Sequence, residues 1–115
     1  MRRGNKRKFG REKVQRKALY KALATALIDN GRIETTHAKA KSLSSFIQKL
    51  ITKAKKGDLP SRRLILSHLG QKATSKLIKE IAPQFKERVG GYVRVIRLPQ
   101  RPSDGSPMAI IEFVQ

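Results

Sequence analysis

Leu43, Phe46, Ile47, Leu50, Ile51 and Ala54 recur at i, i+3, i+4, i+7, i+8 and i+11, and no other feature of the sequence constrains the fold as strongly. Apolar residues at that spacing share one face of a helix. A helix is therefore predicted over about His37 to Lys56, with Thr36 placed to cap its start and Gly57 to close it. Such a helix must bury its apolar face on another layer.

The flanking sequence supplies further elements. Leu19, Leu23, Ala26 and Leu27 recur at i, i+4, i+7 and i+8, which predicts a first helix from about Lys13 to Asn30. Asn30-Gly31 supplies its stop. Arg32-Ile33-Glu34-Thr35-Thr36 is short and rich in β-branched residues and reads as a brief strand. Asp58-Leu59-Pro60-Ser61 has turn-and-cap chemistry, and Leu64, Ile65 and Leu69 then outline a short third helix ending at Gly70. A fourth helix, about Lys72 to Ala82, presents Leu77, Ile78 and Ile81 before Pro83. After Gly90-Gly91 the period changes. Tyr92 to Leu98 is mostly β-branched or aromatic, and Met108 to Val114 alternates, with Ala109, Ile111 and Phe113 on one face. Two closing strands follow, joined by a Pro-rich loop with Arg101 at a projecting, basic tip. The expected class is α+β, in the order helix-strand-helix-helix-helix-strand-strand. Its core is expected to include Leu19, Leu23, Leu27, Leu43, Ile47, Leu50, Ile51, Leu77 and Ile111.

Charge decides what such a domain can do. The 115 residues hold 27 Lys and Arg against 8 Asp and Glu, a formal net charge of +19. Self-repulsion on that scale calls for a polyanionic partner. Nine of the cations and one acid lie in residues 1 to 17, and charge density falls about fourfold beyond them. Residues 1 to 12 are therefore expected to form a basic arm, too poor in apolar residues to order by itself, and residues 13 to 115 a single α/β domain. Cysteine is absent, which excludes disulfides, thiolate chemistry and zinc fingers. No Gly-rich phosphate loop, His-Glu-x-x-His, serine elbow or paired-acid motif is present, so an enzyme is not expected, nor any cofactor or metal. His37 and His68 lie 31 residues apart with no carboxylate at metal-ligand spacing and read as structural or exposed. No apolar run reaches the roughly 18 residues of a membrane span, and no uninterrupted apolar signal core follows the basic start. The expected setting is the cytoplasm or an organelle.

Gly31-Arg32-Ile33-Glu34-Thr35-Thr36, then Lys39-Ala40-Lys41, Leu50-Ile51-Thr52, Ile81-Ala82-Pro83, Gly90-Gly91-Tyr92 and Pro107-Met108-Ala109 stand in order along the chain. Together with the basic arm and Arg16-Lys17-Ala18 they resemble the family of ribosomal protein 17 of the bacterial large subunit. The resemblance spans essentially the whole chain. It implies a two-layer α/β sandwich with a small three-stranded mixed sheet, and a structural role binding and stabilising large-subunit ribosomal RNA. It also implies a place near the nascent-peptide exit region, neighbouring large-subunit ribosomal proteins as partners, and no homo-oligomer. One position departs from the family's pattern: Gln15-Arg16 stands where members often carry His-Arg.

RNA is held mostly by neutralising phosphates, so cations at regular spacing are the candidate contacts. In the arm these are Arg2, Arg3, Lys6, Arg7, Lys8 and Arg11. Arginine forks onto phosphate oxygens or stacks on a base, and Phe9 is placed either to stack on a base or to dock on the body. Twelve extended residues reach about 40 Å. On the first helix Lys13, Arg16, Lys17 and Lys21 are candidates, interleaved with Ala18, Ala24 and Thr25. On the second, Lys49, Lys53 and Lys56 form a stripe with Ser42 and Ser45, about a third of a turn from the apolar face. Solvated helix faces share this pattern. Thr35-Thr36 beside Lys39 and Lys41 sets hydroxyls at a helix N-terminus that attracts phosphate, a pattern that ordinary capping explains equally well; Arg32, Lys39 and Lys41 are candidates on the resemblance and their charge together, and Arg101 completes the set. Two other classes compete. An architectural DNA-binding protein would need an apolar wedge on a β-arm, which the loop between the last strands lacks. A cationic membrane binder would leave its apolar helix faces uncovered, and Trp is absent.

Overall fold

The computed structural model describes residues 13–114. The first helix, α1 (Lys13–Asn30), ends where the sequence places its stop: the Asn30 side chain donates to the Ala26 carbonyl, and Gly31, at φ +81°, donates its N–H to the Leu27 carbonyl at 2.7 Å. Its buried residues are Ala24, Leu27 and Ile28, with Leu23 partly covered, so the face in use is turned from the expected Leu19-Leu23-Ala26-Leu27 row. Leu19 is only half-buried. The rotation follows from α1 packing on both α2 and α4, where Ala24, without a side chain beyond Cβ, is fully enclosed between neighbours. Ala24 is therefore a packing residue and not part of an exposed face.

Strand β1 (Arg32–Thr36) runs directly into α2 (His37–Lys56). Thr36 sits in extended conformation and its hydroxyl accepts the Lys39 N–H, the capping role expected of it. Gly57 closes the helix at φ +69°, a left-handed geometry in which a Cβ would be strained. Ala40, Leu43, Ile47, Leu50, Ile51 and Ala54 are buried, and through them α2 touches all three strands, α1, α3 and the turns beyond α4. Helix α2 is the centre of the molecule.

Helix α3 (Leu59–His68) begins on an Asp58 cap, whose carboxylate accepts the Ser61 N–H at 3.0 Å, with Pro60 in the first turn. The fourth helix is not continuous. Regular α4 (Gln71–Lys76) widens into a π-helical turn over Leu77–Ile81 and then tightens into a 3-10 turn over Ala82–Phe85. Pro83, which has no N–H to offer the ladder, lies inside the tight turn. The change of pitch leaves Leu77, Ile81, Ala82 and Phe85 all buried.

Strands β2 (Val93–Leu98) and β3 (Met108–Phe113) complete a sheet of order β1-β3-β2. Both pairings are antiparallel, so the sheet is not mixed. The reason is that β3, whose Ala109 and Ile111 are fully enclosed, occupies the centre and runs against both neighbours; β1 and β2 share a direction but never pair. In register, Ile33, Ile111 and Val95 stand side by side on the face that packs on the core, and Arg32, Glu112 and Arg94 on the other. Glu112 there lies between the two guanidiniums, at 3.6 Å from Arg32 and 2.6 Å from Arg94. Beyond the sheet, Phe85 contacts the rings of Tyr92 and Phe113. Tyr92 is buried, with its N–H donated to Gln48 and its hydroxyl bonded by Lys55 at 3.1 Å. Lys55 also donates to the Arg88 carbonyl and lies over the Tyr92 ring. That lysine is structural.

Candidate nucleic-acid interface

The cations of α1 and α2, apart in sequence, come together in space. Lys13, Arg16, Lys17 and Lys21 line a cleft of about 370 Å³ whose floor includes Tyr20, Phe46 and His68. Lys49 and Lys53 line a second cleft of about 410 Å³, which shares Phe46 and His68 and is walled by Leu50 and Leu64. The two therefore flank one set of rings. Tyr20 and Phe46 are stacked, with centroids 5.2 Å apart and planes 18° from parallel, and His68 meets Phe46 edge-on at 5.5 Å. No acidic residue lines either cleft. The Tyr20 hydroxyl is shielded from solvent and has no hydrogen-bond partner among the described residues. Lys56 is exposed in the last turn of α2, beside Lys53 and Lys55, where cations also complement the helix dipole.

At the other end of α2, Lys41 lines a cleft of about 560 Å³ with Thr36, His37, Ser42, Arg97 and Ser106. Arg97 donates its Nε–H to His37 Nε2 at 3.3 Å, so that imidazole nitrogen is unprotonated. Partial burial, then the charges of Arg97 and Lys41, hold the His37 pKa below the ordinary histidine value. Lys39 is half-buried in the first turn of the same helix.

Two expected contacts are already engaged with acids. Arg32 is paired with Glu112 on the far face of the sheet. Arg101 lies 3.3 Å from the Asp104 carboxylate, and the loop folds back on itself: the Arg101 N–H reaches the Ser106 carbonyl and the Gly105 N–H the Arg101 carbonyl. Asp104 also accepts the Ser106 N–H, and that bond with the nearby guanidinium holds its carboxyl below the usual range. The tip is closed, half-buried at Arg101, rather than projecting. Arg2, Arg3, Lys6, Arg7, Lys8 and Arg11, with Phe9, lie outside the described residues.

Sequence reasoning missed Arg97, Tyr20, Phe46 and His68 as members of these clefts. A signal existed for Arg97, which falls two residues after Val95 on the core-facing side of β2 and breaks the alternation there. Aromatic scarcity was the signal for the others: the chain has only two Tyr and four Phe. Among the described residues no group of three or more His, Asp or Glu is placed to hold a metal ion, and no helix is long and apolar enough to cross a membrane.

Comparison with known proteins gives the family of the chain. The family model of ribosomal protein L17 matches residues 19–114. A Wolinella succinogenes protein named large ribosomal subunit protein bL17 is 50% identical over 109 residues, covering 94% of each chain. Proteins of the same name from Halalkalibacterium halodurans and Campylobacter jejuni are each 49% identical, over 93% and 94% of this chain and 97% and 93% of their own. With half of its residues shared with these relatives along nearly its full length, the chain belongs to the ribosomal protein L17 family, structural components of the bacterial large ribosomal subunit.

Proposed function

We propose that the chain binds and stabilises large-subunit ribosomal RNA through the cationic faces of α1 and α2, with the basic arm of residues 1 to 12 adding further phosphate contacts. The observation that carries this reading is the convergence of Lys13, Arg16, Lys17, Lys21, Lys49 and Lys53 on two adjoining clefts with no acid among the lining residues. Cations held so close repel one another until a polyanion neutralises them, and RNA supplies one charge per nucleotide at a spacing that rows on two helices can follow. The proposed setting is the ribosome of the bacterial cytoplasm, near the nascent-peptide exit region and beside other large-subunit proteins.

Sedimentation tests the proposal. A tagged chain run through a sucrose gradient is expected to travel with large subunits and to stay there through a moderate salt wash. Recovery chiefly with nucleoid DNA, or free at the top of the gradient, would contradict it.

A further inference from the structure

Resting on the RNA-binding reading above, we propose that Tyr20, Phe46 and His68 form a seat for an unpaired RNA nucleotide, its base lying against the rings and its neighbouring phosphates held by the lysines on either side. A surface that only tracked phosphates would have no need of aromatic rings between its cations. The distribution of aromatic residues is uneven in a way that bears on this. Phe85, Tyr92 and Phe113 cluster at the core end of the sheet, where Phe85 and Tyr92 are almost fully buried. Tyr20 and Phe46 instead are partly buried away from the sheet, stacked on each other, with Phe46 also packed against the core, and line the clefts that carry the cations.

Single-stranded RNA is recognised by this combination. Unstacked bases settle on aromatic faces while a positively charged groove follows the backbone. The clefts, about 370 and 410 Å³, are in the size range of small-ligand sites. Leu64 adds an apolar wall that is 42% exposed. Lys17 and Lys21 on one side and Lys49 and Lys53 on the other place positive charge where the phosphates before and after a seated base would run. Charge selects a polyanion over a basic protein segment, because no acid stands in either cleft to answer a partner's cations.

The test compares two labelled ten-nucleotide RNA strands with the full-length chain by fluorescence anisotropy: oligoadenylate, and an abasic strand with the same phosphates. Oligoadenylate is expected to bind about 5- to 150-fold more tightly, the range of one stacked base. Tyr20→Leu and His68→Leu, measured separately and each checked by a circular dichroism melt, should shrink that preference and leave the salt dependence unchanged. Equal affinity for the two strands, or a preference that survives both cleft variants, would overturn the seat while leaving phosphate-based RNA binding intact. Failure of both strands to bind at low salt would contradict the RNA-binding reading itself.

Discussion

Single residues carry two separable burdens, packing and charge. Ile47 is fully enclosed at the centre of α2. Its truncation, Ile47→Ala, should cost about 2 to 5 kcal/mol in urea melts, and a loss below about 0.5 kcal/mol would mean that its face is not a core face. His37 carries the charge burden. Its folded-state pKa is lowered by burial and by Arg97 and Lys41, so the folded chain binds fewer protons than the unfolded chain just below the unfolded value of 6.5. The stability tied to neutral His37 is therefore present above about pH 6.5 and lost as pH falls through the lower folded value. Melts at pH 7.5 and 5.5 should show a larger drop in midpoint for the parent chain than for His37→Gln; equal drops would contradict the assignment. At this scale the cations were legible from charge alone. Their engagements were not: Arg97 meets His37 across 60 residues of sequence, and Glu112 takes Arg32 and Arg94 only because β3 lies between β1 and β2.

Elements were legible in proportion to how cleanly one period ran through them. Helix α2 has a single uninterrupted apolar stripe between two recognisable caps, and its bounds and buried face are those expected. In α1, alanines and leucines occur around much of the helix, so several faces could have packed, and contact with α4 selected the one bearing Ala24 and Ile28. Strand alternation told which residues face the core but is silent about neighbours, which is why an antiparallel sheet stands where a mixed one was expected. The break of α4 into π and 3-10 turns had only Pro83 as its sign. Gly57 offers a direct check on the capping argument. Held at φ +69° with open space around it, it should accept Ala only at a backbone cost of about 1 kcal/mol, read as a lower urea midpoint for Gly57→Ala. A neutral or stabilising substitution would show that α2 ends in another conformation.

At the scale of the molecule, a modest core supports an excess of 19 positive charges, and its binding should be governed by salt. Removing residues 1 to 12 deletes six basic residues and one acid. The shortened chain is expected to melt at the same temperature or slightly higher, since self-repulsion falls. Its plot of log affinity for a large-subunit RNA fragment against log salt should be shallower by about 4 to 5, at roughly 0.7 to 0.9 per phosphate contact. An unchanged slope would assign all phosphate contacts to the body. RNA binding by that body is read from the same salt titration on the full-length chain with Lys17, Lys21, Lys49 and Lys53 all changed to Gln together. The slope is expected to be shallower by about 3, with the circular dichroism melt of the parent chain retained. A slope equal to that of the parent would contradict it, showing that the paired clefts of α1 and α2 do not face RNA.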